Sequence, residues 1–570
     1  MNLKKIGVVA GATALAVACG QAAAIDCSVR PIALTGTDGA LGPGMGSGVF
    51  FTDLSGPVSA LNSSGQVHFR SGMTGGVGGL WLHNGSSNIS TVTSGSAQPG
   101  GGNYPVGSPF ESSFNSPLLN NAGHRGWRNS NNSGLFADFG GGQGATMLNG
   151  AAAPGTGGAN FSTFSTSPAQ LMTGDGRMVF RSGLAVNAAS TPPTTITPAA
   201  TANASGIWAN AGGTTGLLVR QNDTIPSLAG SDVRLGAPDS GTMVMNANGT
   251  LLFTSALQGT VTTSGTSSNN LALMRKRDGN PLEVVARRGD AFPSGATGEN
   301  YNSPSAPAIN SAGTIAYASS LRGGTITGTV AGLFSDTTGS LTLHARTGTA
   351  MPNITPSTGG TFNGLNWGST FSNVSINSAG GIAFSNTGIS GPGVSNDAGI
   401  FRMDAAGAFS AIMHQGDVAP GAQSFMPGDT VKFGSLQGGI AHNARGQVAF
   451  TTNLSGTIAG GVFGGPGGNN SAIWASDLDG ALCLIAQKGM DFEVAPGDTR
   501  TVSDANLFQA STSGNQDGRS SVFNDNGDLV VSLAFADGTS GIFLINIPSP
   551  GAGALLGMGG LLVARRRRRS

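Results

Sequence analysis

One short pattern recurs along this chain: Asn, two residues, Gly, an apolar residue two positions later, then a small residue and an aromatic. The clearest copies are Asn310-Ser311-Ala312-Gly313-Thr314-Ile315-Ala316-Tyr317, Asn377 to Phe384, and Asn443 to Phe450. Two more begin at Asn62, with Gly65 and Phe69, and at Asn246, with Gly249 and Phe253. Asn524 keeps its Gly527 but ends in Val530-Val531. Asn120 with Gly123 and Trp127, and Thr173 with Gly176 and Phe180, are degenerate copies. The first and last of these eight starts lie 462 residues apart, a mean period of 66. A repeat unit cannot bury its apolar face alone, so such an array must stack its copies against one another.

Each copy is followed by a small residue, an aliphatic and usually an aromatic: Leu80-Trp81, Leu135-Phe136, Ile207-Trp208, Leu273-Met274, Leu333-Phe334, Ile400-Phe401, Ile473-Trp474 and Ile542-Phe543. Most copies then carry an aliphatic strand ending in Gly-x-x-x-Pro, as at Gly289 with Pro293, Gly348 with Pro352 and Gly416 with Pro420. The eighth repeat lacks this third element. The missing piece stands at the other end of the chain, in Ile32-Ala33-Leu34 and Gly39 to Pro43. A closed ring joins its termini in this way, whereas an open solenoid has no need to.

The residue types fit short strands. Asn bonds its own backbone in turns, and Gly supplies the positive φ of a tight hairpin. Strand alternation puts Ile315 and Tyr317 on one face and Ala316 on the other. Both faces are apolar, as a sheet sandwiched between neighbours requires. Pro ends the pairing, and a fourth strand is expected between it and the next Asn, as in Gly48-Val49-Phe50-Phe51. The expected fold is all-β: a single β-propeller over 25–547, of eight four-stranded blades closed by pairing of the N- and C-terminal segments. Seven blades is the alternative count.

Both ends read as addresses. Lys4 and Lys5, the apolar 6–18 and the small residues Ala22-Ala23-Ala24 form a secretory signal peptide over 1–24, cleaved after Ala24. The rival reading is a lipoprotein anchored at Cys19, although Ala16-Val17-Ala18 lacks the preferred Leu. The C-terminal 548–570 runs Pro548-Ser549-Pro550, an apolar stretch of about 14 residues, then Arg565 to Arg569. That stretch is short against the ~20 residues of a full span, and its basic end suits a cytoplasmic flank. An uncleaved tail anchor is the alternative. Cys27 and Cys483 remain in the mature chain, and export would permit a disulfide between them.

Two resemblances follow from these residues. The tail, over about 23 residues, resembles a PEP-CTERM sorting signal, with Pro-Ser-Pro where the family has Pro-Glu-Pro. That implies a Gram-negative bacterium and an exosortase-type membrane enzyme as partner, with the protein released or anchored outside. The repeat, over roughly residues 30 to 547, resembles the NxxGxxAF tandem-repeat family of bacterial surface proteins, which offers no catalytic residues to carry over. The turn residues are Asn62, Asn120, Asn246, Asn310, Asn377, Asn443 and Asn524.

Composition excludes several classes. Charged residues are only 10%, so charge-driven disorder is ruled out. Without Lys4, Lys5 and the five terminal arginines, 21 basic residues face 28 acidic ones, leaving no basic stripe for nucleic acid. There is no Walker loop, no G-x-S-x-G elbow and no cysteine pair at zinc spacing. The six histidines never fall at i, i+4, and His68 and His344 read as strand positions. Asp477-Leu478-Asp479-Gly480 and Asp525-Asn526-Gly527-Asp528 weakly resemble calcium loops without a closing Glu, so Asp477, Asp479, Asp525 and Asp528 are the calcium candidates and no other cofactor is expected. Asp38, Asp223, Asp290 and Asp417 sit near the third-element Gly, where a ring of carboxylates at one rim is conceivable. The expected function is that of a secreted, non-enzymatic surface or extracellular-matrix protein, structural or adhesive and associated with exopolysaccharide. The alternatives are a secreted carbohydrate-active enzyme with its site at a propeller mouth, and a calcium-stabilised adhesin.

Overall fold

The computed structural model describes residues 27–548 apart from 55–58, 100–102, 105–113, 130–133, 166–169, 186–203, 229–231, 260–267, 353, 355–361, 363, 424–429, 457–470, 508–511 and 515. The leader with Ala24, the Cys19 alternative, and Ser549 and Pro550 of the tail lie outside these residues. Among the described residues no helix is long and apolar enough to cross a membrane.

The described strands form eight sheets following one another along the chain, antiparallel apart from one short parallel pairing in blade 7. Eight blades therefore form, not seven, and the degenerate Asn120 and Thr173 repeats and the divergent Asn524 repeat each make one. Blade 5 is representative: Glu299–Ile309 leads through the Asn310 turn into Ile315–Gly323, then Val330–Ser335 and the outermost Thr342–Arg346. The innermost strand is the one expected between the Pro and the next Asn. In blade 8, Asp498–Asn506, Asp528–Phe535 and Ser540–Asn546 come from the C-terminal end, and Ser28–Leu34 completes the sheet as the outermost strand. Ser28 stands opposite Asn546 and Ala33 opposite Ile542.

One register unites the blades. The aromatic ending the Asn motif stands directly across from the second-element aromatic: Phe69 from Trp81, Trp127 from Phe136, Phe180 from Trp208, Tyr317 from Phe334, Phe384 from Phe401 and Phe450 from Trp474. These six pairs stack, from 14° and 5.3 Å between Tyr317 and Phe334 to 27° and 6.3 Å between Phe69 and Trp81. Blades 4 and 8 put Phe253 against Met274 and Val531 against Phe543 in the same register. Such cross-strand pairs contribute roughly 0.2–1 kcal/mol each beyond burial.

Position i−2 on the same strand face lies under the second ring, which is why that residue is small. A Cβ added at Gly206 would meet the Trp208 ring at 2.9 Å and the Val219 carbonyl oxygen at 2.8 Å. Gly79, Gly134, Gly332, Gly399 and Gly541 are crowded by the rings of Trp81, Phe136, Phe334, Phe401 and Phe543 in the same way. Gly206→Ala is expected to cost about 2 kcal/mol, as overpacking does, read as a lower urea midpoint with an unchanged m-value.

The intervening aliphatic points to the other face and packs into the neighbouring blade. Leu80 clusters with Trp127 and Phe136, Leu135 with Phe180 and Trp208, and Leu273 with Tyr317 and Phe334. Ile400 clusters with Phe450 and Trp474, while Ile542 joins Phe69 and Trp81 across the closure. The core is thus a ring of interfaces between sheets. The indoles of Trp208 and Trp474 donate to the carbonyls of Pro154 and Pro420, at 3.0 and 3.1 Å. These prolines lie in the connectors entering each blade, so the third element ties one blade to the next.

Cys27, immediately before the closing strand, is disulfide-bonded to Cys483 on blade 7's outermost strand, Leu482–Gln487. The bond spans 456 residues of sequence and fastens the N-terminal strand to a second blade. Cys27→Ser is expected to lose about 3 kcal/mol, measured by urea unfolding, with the wild type falling to the variant's stability under reductant.

Candidate functional site

The seven turn asparagines converge on one face of the ring. Each is less than a tenth exposed, all seven close their own turns, and six of them do a second job as well. The side-chain oxygen closes its own turn: Asn310 Oδ1 accepts from Thr314 N–H at 3.0 Å, and Asn524 Oδ1 accepts from Asn526 and Asp528 N–H, both at 2.9 Å. The side-chain nitrogen crosses to the next blade and donates to the carbonyl of its equivalent residue. Asn62 reaches Asn120 at 3.3 Å, Asn120 reaches Thr173 at 2.9 Å, Asn246 reaches Asn310 at 3.0 Å, and Asn310 reaches Asn377 at 3.0 Å. Asn443 reaches Asn524 at 2.9 Å, and Asn524 returns to Asn62 at 3.0 Å, 462 residues away. A girdle of amides therefore runs round the ring. Two steps differ: Thr173 keeps its hydroxyl within its own turn on Asp175 and Arg177, while between blades 6 and 7 Ser378 Oγ donates to Ala444 O at 3.0 Å. The sequence signals the turn role of these asparagines, but nothing local signals the crossing.

A segment of the eighth repeat closes the middle of this face. Residues 512–514 and 516–521, which lie between Asp498–Asn506 and Phe523, contact blade after blade on the inside of the ring. Thr512–Ser513 pairs in parallel with Ala441 and His442 of blade 7. Gln516 Oε1 accepts from Ser311 N–H of blade 5 at 3.1 Å. The carbonyls of Asp517, Gly518 and Ser521 accept from the N–H groups of Met245, Met172 and Leu61 at 2.9, 2.8 and 2.7 Å, and Ser520 Oγ donates to Pro117 O at 3.2 Å. The partners are inner-strand residues close to the Asn turns, whose edge groups would otherwise face the channel unpaired. Gly518, at φ +77°, passes so close to blade 4 that a Cβ would stand 3.0 Å from Met245 O. Asp517 is fully buried and pairs with Arg519 Nε at 2.8 Å. Among the described residues this plug has no counterpart in the other repeats, so the periodic pattern does not announce it.

The acidic candidates scatter. Asp477 Oδ1 accepts from Ala481 N–H at 2.8 Å, closing its own turn, and Arg402 supplies positive charge to Asp477 and Asp479. Asp525 Oδ1 accepts from Ala444 N–H of blade 7 at 2.8 Å. Asp528 accepts from Asn524 and Asn546 amides at 3.0 and 2.8 Å. Among the described residues no group of three or more His, Cys, Asp or Glu could hold a metal ion. The carboxylates expected at one rim instead follow the outermost strands, so Asp38, Asp223, Asp290 and Asp417 stand on the outer perimeter, one blade apart or more, because the third element is the outermost strand. Burial raises the Asp223 and Asp290 carboxyls above the ordinary carboxylate range. Asp223 Oδ2 accepts from Arg220 N–H at 2.7 Å, and Asp417 stands 3.5 Å from His414 Nδ1.

Charged side chains line several clefts, two of them next to residues already described. One of about 330 Å³ lies between blades 6 and 7 on the Asn face, lined by Arg402, Phe409, His442 and Arg445. Arg402 there donates to Gly446 O and Leu478 O, both at 3.1 Å. Another of about 390 Å³ lies on the perimeter between Val284–Ala286, Asp290, Tyr301 and Leu341. Both histidines predicted as strand positions are such: His68 Nδ1 donates to Leu118 O at 3.0 Å, and His344 Nε2 bonds Ser335 Oγ at 2.7 Å.

Eight sheets in cyclic order, a closing strand from the opposite terminus and an occupied channel define an eight-bladed β-propeller. Residues 194–554 match the model of a family of unknown function, DUF7453, and the chain belongs to that family. No curated protein matches it. Among solved structures it is similar to an oligogalacturonate lyase from Vibrio parahaemolyticus, at 12% identity and a TM-score of 0.34, over 75% of this chain and 94% of that one. It is also similar to the Dos1 propeller, at 10% and 0.35 over 90% and 95%, and to a virginiamycin B lyase from Staphylococcus aureus, at 11% and 0.29 over 77% and 96%. Likenesses this remote transfer no activity.

Proposed function

We propose that this chain is an exported, non-catalytic propeller of the cell surface or extracellular matrix, with a structural or adhesive role in holding exopolysaccharide or another surface molecule. Its repeat is of the NxxGxxAF type, and its tail is a PEP-CTERM-like signal processed by an exosortase-type enzyme after transient membrane contact. The leader over 1–24 and the Cys27–Cys483 bond, which suits an oxidising compartment, support export. The observation that carries the non-catalytic reading is the channel: on the Asn face it is occupied by the protein's own residues 512–514 and 516–523, with the carbonyls of Asp517, Gly518 and Ser521 engaged by N–H groups of three inner strands. The dispersed perimeter carboxylates support the same reading, since glycoside hydrolysis needs two carboxyls held about 5–10 Å apart.

The test is to incubate residues 25–547 with polysaccharides, including the host's own matrix. Saturable binding without product is the expected result. Release of reducing ends overturns this reading in favour of a carbohydrate-active enzyme.

A further inference from the structure

Both chain ends leave the propeller at one place. Ser28, which starts the closing strand, stands opposite Asn546, which ends its neighbour. The strand before the tail runs towards the Asn turns, and Ile547 is fixed there: its N–H donates to Gly527 O at 2.8 Å, its carbonyl accepts from Gln447 Nε2 at 3.5 Å, and it is 1% exposed. The tail therefore departs from the plugged face, between the Asn443 and Asn524 turns.

Chain length then limits where that face can go. Only residues 548–550 separate Ile547 from the apolar stretch, and three residues span at most ~10 Å. About 14 apolar residues make ~21 Å of helix, short against the ~30 Å hydrocarbon core. A short segment draws its flanks towards the bilayer, so the linker has little slack.

We propose that the Asn-turn face is the membrane-apposed face of this protein, docked on a lipid bilayer while the tail is in place, and that the opposite face, with turns 74–77 and 391–394, is presented to ligands. This rests on the tail reading above. The leader, if uncleaved, gives the same orientation, because it joins the chain beside Asn546. The plug and the girdle are then the base of the molecule, and ligand sites belong on the far face or the perimeter.

The experiment uses the full chain in vesicles of phosphatidylethanolamine and phosphatidylglycerol, with Cys19→Ser and one added cysteine carrying a fluorophore. Ala405→Cys and Ser340→Cys place the label in exposed turns of the Asn face, while Thr74→Cys and Pro392→Cys place it in exposed turns of the opposite face. A nitroxide on the lipid headgroup is expected to quench the first two several-fold more strongly than the second two. Equal quenching, or the reverse order, in protein that floats with the vesicles overturns the orientation and leaves the tail reading standing. Protein that does not float overturns both.

Discussion

Replacing Asn310 by Asp is expected to destabilise the propeller at least as much as replacing it by Ala, by about 3–4 kcal/mol in either case. Asn310 is 1% exposed, accepts from Thr314 N–H at 3.0 Å and donates to Asn377 O at 3.0 Å. Ala leaves the partly buried Thr314 N–H unpaired and removes the inter-blade donor from Asn377 O, which keeps only the Gly380 N–H of its own turn at 3.1 Å. Asp keeps the acceptor that closes the turn, but loses the donor and buries a carboxylate oxygen against a carbonyl oxygen of the next blade. If the side chain served its own turn alone, Asp would be close to wild type in urea unfolding, and that result would refute the girdle. Because each link joins neighbouring blades, the loss is expected in the global transition and not as local fraying.

Mild acid is expected to remove about 5 kcal/mol of stability between pH 6.5 and 4.5 through two buried histidines. His68 and His442 are 0% and 1% exposed, and both are held down to about 3. For His68 the main cause is desolvation, then the nearby Arg125 charge, opposed by its bond to Leu118 O and by Asp138. For His442 it is desolvation, then Arg402. A histidine with a depressed folded pKa is protonated first in the unfolded chain. Its contribution is intact above pH 6.5, falls as pH drops towards 3, and falls no further below that. Each site accounts for ~1.4 kcal/mol per pH unit in that window. The His68→Asn, His442→Asn double variant should unfold with a much flatter pH dependence, read as urea midpoints at pH 7 and 4.5. An unchanged pH slope in that variant would assign the acid sensitivity elsewhere.

These two predictions divide along the line between what was legible in the sequence and what was not. The Asn motif is visible because eight copies place the same residue types at the same spacing. The recurring aromatics, the small residue two positions before the second one, and the strand missing from the eighth repeat are visible for the same reason, whereas the stacking of the rings is seen only in the structure. Calling His68 and His344 strand positions needed only the alternation within a repeat. The calcium reading arose because Asp, Asn and Gly serve both metal loops and hairpins. In the structure Asp477, Asp525 and Asp528 accept turn and inter-blade hydrogen bonds.

By itself the sequence determined the blade architecture, the closure through Ser28–Leu34 and the pairing of the second and third strands, since these depend on local turn chemistry and a two-residue strand period. Only the tertiary structure decided where each side chain stands around the ring. It turned Asn Nδ2 groups outward to the next blade, sent Asp38, Asp223, Asp290 and Asp417 to the perimeter, and set residues 512–514 and 516–523 against the inner strands. Those contacts join residues up to 462 positions apart, or occur once with no repeat to echo them. They exist because closing the ring brings distant edges, with unpaired backbone groups, within hydrogen-bonding distance.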